Sequence, residues 1–240
     1  MVKPNSVIIW RGPSLIDGGP IVAILSGLAT PSANYKTGPM AQVDILREDV
    51  HPIEAVKLGL DYSICGGCPL RMDEDGKRIC YVNLLFAPGG KFKAMLRGSY
   101  PTMTPEQAGA ILRAKGIGCR DGAYGDPASV PLDVWRRLHT AAGTFHTSYT
   151  HQWMRPDFDT GLLEYAMASV DSENTVAKLR AIYPNARYYR MASSYDDIDP
   201  ATEVKCPSKN TAGERVRTCA ECRLCNGGLQ AKNVVIVEGE

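Results

Sequence analysis

Short apolar runs alternate along the chain with segments of helical periodicity. The runs that read as strands are Pro20 to Gly27, Met40 to Leu46, Ile79 to Phe86, Gly122 to Tyr124, Phe145 to Thr150, Tyr165 to Val170, Ala186 to Met191 and Asn233 to Val237. Between them, helix starts are legible. Thr104 before Pro105, Glu106 and Gln107 supplies an N-cap, an N1 proline and an acidic first turn, so a helix is predicted to Lys115, stopped by Gly116. Val130-Pro131 opens a second helix with Val134, Trp135 and Leu138 on one face. Ser172 with Glu173 caps a third, in which Val176, Leu179 and Ile182 recur. From Gly116 to Met191 the order is β, α, β, α, β, α, β. This predicts an α/β fold, either a partial (β/α) barrel or an open parallel sheet.

In both architectures ligands meet the C-terminal ends of the strands. Polar groups gather there: Tyr124-Gly125-Asp126-Pro127, Tyr149-Thr150-His151-Gln152-Trp153, Ser169-Val170-Asp171-Ser172 and Arg190. Asp126 and Asp171 could each serve as a turn or helix cap, and a lone histidine is commonly structural. Capping would explain each residue singly but not why consecutive strands all end in polar groups. Asp126, His151, Gln152 and Asp171 are therefore the candidate catalytic residues, with Tyr124, Ser169 and Arg190 as candidates for binding a cofactor.

The cysteines carry the sharpest chemistry. Cys206, Cys219, Cys222 and Cys225 form C-x12-C-x2-C-x2-C. Three cysteines at successive three-residue steps wrap one centre, as iron–sulfur proteins supply thiolates to a cubane with a distant fourth. Zinc sites more often use two separate CxxC knuckles, so a [4Fe-4S] cluster is the expected cofactor and zinc the alternative. A second set is Cys65-Gly66-Gly67-Cys68 followed by Cys80. Its two glycines would let backbone N–H groups turn towards the sulfurs. Its fourth ligand is open among Cys119, His51 and Asp61, and Cys119 also reads as a buried thiol. With three thiolates alone, one iron would be free to take up S-adenosylmethionine.

The stretch from Pro200 to Gly228 is polar and lacks apolar periodicity, so it needs a metal as its core. The expected division is an α/β domain over residues 1–199 and a cysteine-rich segment over residues 200–240 that returns to the sheet. The polar loop Thr30 to Met40 matches no phosphate-binding motif and reads as a surface connection. Arg97 to Pro101 and Trp135-Arg136-Arg137 offer basic and aromatic groups to a nucleic acid.

Composition narrows the class. With 240 residues, 44% hydrophobic and 22% charged, the chain can bury a substantial core, and a net charge of +1 gives no global field towards nucleic acid or anionic membrane. Its first apolar run, Val7 to Trp10, is cut by Arg11 and Gly12, too short for a secretory signal, and no stretch approaches a membrane span. A cytoplasmic protein is expected, and eight cysteines in a reducing compartment argue for metal rather than disulfides.

The ordered motifs KTGPM (36–40), ICGGCP (64–69), CYVN (80–83), YGDP (124–127), YTHQW (149–153), MASVDS (167–172) and the final CP with C-x2-C-x2-C resemble an uncharacterised family of cysteine-rich bacteriophage proteins. In layout the chain is also similar to phage radical-SAM-like proteins, but it lacks their C-x3-C-x2-C motif. The resemblance implies a bacterial host cytoplasm, and the cysteine spacing itself points to an iron–sulfur protein. That protein could be an enzyme cleaving S-adenosylmethionine at an open cluster beside an auxiliary one, or a non-catalytic cluster carrier. The alternative is a zinc-binding module contacting nucleic acid or polymerase.

Overall fold

The computed structural model describes residues 4–32, 34–208 and 216–237. Its first sheet begins with β1 (Ser6–Pro13), β2 (Pro20–Ser26) and β3 (Ala41–Arg47), which pair antiparallel. The expectation of parallel strands fails here for a topological reason. A parallel pair needs a crossover helix, and no helix is described between β2 and β3 or in the turn between β1 and β2. After β3 the expected pattern takes over. The helices α1 (Pro52–Lys57), α2 (Tyr62–Cys65), α3 (Ala87–Leu96) and α4 (Pro105–Lys115) lead to β4 (Cys119–Tyr124), parallel to β3. Then α5 (Leu132–Ala142) leads to β5 (His146–Thr147), parallel to β4.

The second sheet starts at β6 (Tyr149–Thr150), one residue beyond β5. It continues with β7 (Met167–Val170), α6 (Glu173–Ile182), β8 (Tyr188–Ala192), β9 (Glu203–Lys205), α7 (Cys219–Cys222) and β10 (Asn233–Val237). Its order is β6-β7-β8-β10-β9, all parallel. Neither sheet closes on itself, so the open α/β arrangement is the one found. The strand expected over Phe145 to Thr150 is split at Ser148, whose N–H donates to the Cys225 carbonyl at 3.2 Å. That bond turns the strand towards the C-terminal segment.

Local signals explain most of the helices. Thr104 and Gln107 form a reciprocal capping box at the start of α4, and Gly116 ends it in the left-handed conformation. On α5, Val134, Trp135 and Leu138 are buried, and Ser172 caps α6. On α6 the apolar face is narrower than the spacing suggested, because Leu179 is buried and Ile182 is exposed. The main core lies between the first sheet and α3, α4 and α5. Smaller clusters sit under α6 and around Met167, Cys225 and Val234.

Ile79 to Phe86 is not a strand. Ile79, Tyr81, Leu85 and Phe86 are exposed, and the segment is a loop running into α3 at Ala87-Pro88. Among the described residues no helix is long and apolar enough to cross a membrane.

Candidate metal centres

The C-terminal cysteines converge on one cavity of about 50 Å³, lined by Cys206, Cys219, Cys222 and Cys225 together with Tyr149 and Tyr189. They come from three pieces of chain. Cys206 directly follows β9, and its N–H donates to the Val235 carbonyl at 2.7 Å. Cys219 and Cys222 are the first and last residues of α7, whose N-terminus is closed by a capping box between Thr218 and Glu221. Arg223 follows at φ 60°, the one non-glycine residue with positive φ among those described. This strained turn redirects the chain so that Cys225 returns to the same cavity.

The loop Thr30 to Met40 is the seat of α7. The carbonyls of Lys36 and Thr37 accept from the N–H groups of Cys219 and Ala220 at 3.1 and 2.9 Å. Gly38 has φ +72°, and a Cβ there would lie 2.8 Å from Thr218. On the other side buried Arg187 donates to the carbonyls of Leu224, Asn226, Ala231 and Lys232. The segment is therefore docked, with a small apolar wall of Met167, Val234 and Leu224.

Burial raises the thiols of Cys219 and Cys222, pushes that of Cys225 up to about 12, and the neighbouring sulfurs add to each effect. Arg120 and Lys36 oppose it at Cys219, and Arg217 at Cys222. Tyr149 lines the cavity with Cys225, and Ser148, next to it in the chain, has a buried hydroxyl with no partner. Crowded thiols of this kind become thiolates when a cation sits among them.

The upstream cysteines form a second gathering. Cys65 ends α2, and its thiol is raised by burial first, then by Asp61, Cys68, Cys80 and Asp126. The glycines between Cys65 and Cys68 serve a different purpose from the one expected. The Gly66 N–H returns to the Tyr62 carbonyl, and the Gly67 N–H donates to Gln152 Oε1 at 3.2 Å. Gly66 sits at φ 51°, where a Cβ would fall 2.1 Å from Gln152 Oε1. Gln152 Nε2 donates to the Cys65 carbonyl at 2.8 Å, so this amide clamps the CxxC loop from both sides.

The four candidate catalytic residues do come together, and they face this loop. Asp126 N–H donates to the Ile64 carbonyl at 2.6 Å, and Asp126 Oδ2 accepts from the His151 N–H at 2.8 Å and from Gln152 Nε2 at 3.4 Å. Asp126 Oδ1 also caps the turn at Ala128. His151 Nε2 lies 3.4 Å from Asp171 Oδ1. Asp171 does not cap α6; Ser172 does.

The cofactor-binding candidates divide. Tyr124 is buried, its hydroxyl has no partner, and it lies in the field of Cys65, Asp61 and Cys80. The Ser169 carbonyl accepts from Trp153 Nε1 at 2.8 Å. Arg190 is buried in a bidentate ion pair with Glu203 and donates to the Asp197 carbonyl, a bond network that ties β8 to β9.

Trp135 is fully buried, with Nε1 on the Pro127 carbonyl; Arg136 is exposed, and Arg137 is exposed in ion pairs with Glu106 and Asp133.

Sequence reasoning missed a third set. Asp121, His139 and His146 are buried, with ligand atoms all within 4.8 Å of one another, the one group so close among the described residues. Cys119 and His146 are register partners on β4 and β5. His139 Nε2 is 2.8 Å from Asp121 Oδ2, and the two imidazoles stack at 3.9 Å. The His146 nitrogens already face the Tyr165 carbonyl and the Asn226 amide. Only the placement of His139 beside Leu138 on the buried face of α5 could have signalled it.

Compared with known proteins, the chain matches no family model, and no curated protein or solved structure matches it either.

Proposed function

We propose that this chain is an iron–sulfur protein whose C-terminal centre is held by Cys206, Cys219, Cys222 and Cys225. One observation carries the reading: four cysteines from three anchored pieces of chain line a single cavity, with cationic Lys36, Arg120 and Arg217 acting on its sulfurs. Their sequence spacing, C-x2-C-x2-C with a distant fourth cysteine, favours a cubane over one ion.

When bound, such a cluster supplies one-electron transfer at a potential tuned by burial and by hydrogen bonds to its sulfurs. The chain's own residues then have definite tasks. Tyr149 offers a donor to the cavity, Tyr189 and Leu224 exclude water, and Arg187 keeps the loop carbonyls in place.

Anaerobic purification followed by iron and acid-labile sulfide analysis tests this. Brown protein with stoichiometric iron and sulfide is expected. Colourless protein carrying zinc alone overturns it. The enzymatic version has the upstream centre binding S-adenosylmethionine, and its test is reductive cleavage to deoxyadenosine.

A further inference from the structure

Three cationic side chains line the C-terminal cavity, Lys36, Arg217 and Arg223, and among the described residues no carboxylate does. Arg120 joins them, because it is the register partner of Thr147, which also lines the cavity. None of these four stands in an ion pair with a described residue, whereas Arg47, Arg71 and Arg190 elsewhere do. The carboxylate carried by α7, Glu221, is engaged by its own helix cap, where it accepts from the Thr218 N–H and hydroxyl at 2.7 and 2.9 Å.

Burial divides these charges. Lys36 and Arg120 are half-buried, where they can offset the negative charge of a thiolate-bound cluster. Arg217 and Arg223 are exposed, so their charge also faces outwards. The Arg223 guanidinium lies 4.3 Å from the centre of the Phe145 ring, a contact that holds it in place. Exposed apolar surface accompanies the charge. Val216, next to Arg217, is 54% exposed, and Tyr81, whose hydroxyl accepts from Arg120 Nη2, is 73% exposed. Unpaired cations beside a few exposed apolar side chains suit a short-lived protein encounter, in which charge steers the approach.

We propose that this face is the docking surface of a small electron-carrier protein with an acidic surface. The inference rests on the iron–sulfur reading, because a cluster that passes single electrons needs a carrier to exchange them with. Cys206, Cys219 and Cys222 are half-buried while Cys225 is buried, so the centre comes nearest to solvent on the side that bears these cations. In the encounter one electron leaves the reduced carrier and enters the oxidised cluster, and no bond forms or breaks. A nucleic acid fits less well. The cations surround one cavity instead of tracking a groove, and the net charge of +1 supplies no wider field.

An acidic flavodoxin is the probe. Binding of its oxidised form to the full chain is read by flavin fluorescence anisotropy, which needs no intact cluster. Electron transfer from its hydroquinone is followed by stopped-flow absorbance and expressed per cluster, counted as iron and sulfide. Binding should be saturable and should weaken at least about tenfold as added salt shortens the Debye length from about 30 Å to about 3 Å. Arg217→Glu and Arg223→Glu should each weaken binding and slow reduction about tenfold, and Arg217→Lys, which keeps the charge, should restore most of both. The methyl viologen radical cation, which the same charges repel, should reduce Arg217→Glu faster than the natural protein, an effect that mere damage to the site would not produce.

Absence of saturable binding, or binding indifferent to salt and to both charge reversals, overturns the proposal. So does a fluorescent single-stranded oligonucleotide that displaces flavodoxin from this face and binds it more tightly. The two readings fail separately. An intact cluster without flavodoxin binding removes the docking surface alone, whereas iron-free protein that still binds through Arg217 and Arg223 removes the cluster and keeps the surface.

Discussion

His146 and His151 sit close together in sequence and meet opposite surroundings. Burial, then the adjacent His139, lowers His146 to about 4, so it is neutral in the folded protein. Around His151 burial again opposes charge, but Asp171 and Cys68 outweigh it and raise the ring to about 10. The first shift has a signed consequence. An unfolded histidine titrates at about 6.5, so below that pH the unfolded chain binds a proton that folded His146 refuses. Stability should therefore fall as pH drops from about 6.5 towards about 4, by roughly 3 kcal/mol in all. Urea unfolding across that range should show a shallower loss in His146→Gln; equal slopes would mean that His146 is protonated in the fold. The cysteines permit a similar contrast. Cys225→Ala should remove metal, whereas Cys119→Ala, which only trims a buried thiol beside Asp121, should leave metal content unchanged in elemental analysis. The cysteine spacing was legible because thiolate chemistry is written in local sequence. The Asp121 set was not, since three elements bring it together.

At the scale of elements, what could be read from sequence was whatever is decided locally. The capping residues of α4 and α6 satisfy N–H groups within a few positions, and Gly116 ends α4 by its own backbone freedom. Ile79 to Phe86 misled because its apolar residues carry β propensity with no strand beside them to pair with. Gly38 and Gly66 were visible as glycines, but their reasons are partners distant in sequence, Thr218 and Gln152. Gly38→Val makes that dependence measurable. A side chain at φ +72° costs about 1–2 kcal/mol, and its Cβ would press on Thr218. The seat of α7 should loosen, and the C-terminal centre should lose metal to a chelator faster than in the natural protein. Circular dichroism should show β1 to β3 intact. Unchanged chelator kinetics would show that α7 does not depend on this loop.

Across the whole molecule, the C-terminal centre connects strands that the sequence order separates. β10 lies between β8 and β9, Cys206 directly follows β9, and Cys225 bonds through its carbonyl to Ser148 at the break between β5 and β6. The metal would thus hold the far edge of the second sheet to its near edge, while the antiparallel strands of the first sheet keep their own core of Ile21, Ile24, Leu25 and Ile45. Stability in such a molecule is unevenly distributed. Removing the metal under anaerobic conditions should therefore raise hydrogen exchange first in Glu203–Lys205, Cys219–Cys222 and Asn233–Val237. A loss of protection of about tenfold corresponds to roughly 1.4 kcal/mol of local opening. Pro20–Ser26 and Ala41–Arg47 should exchange as slowly as before. If all these strands lose protection together, the two sheets unfold as one unit and the centre staples the whole fold; if none does, the cysteines do not hold this edge.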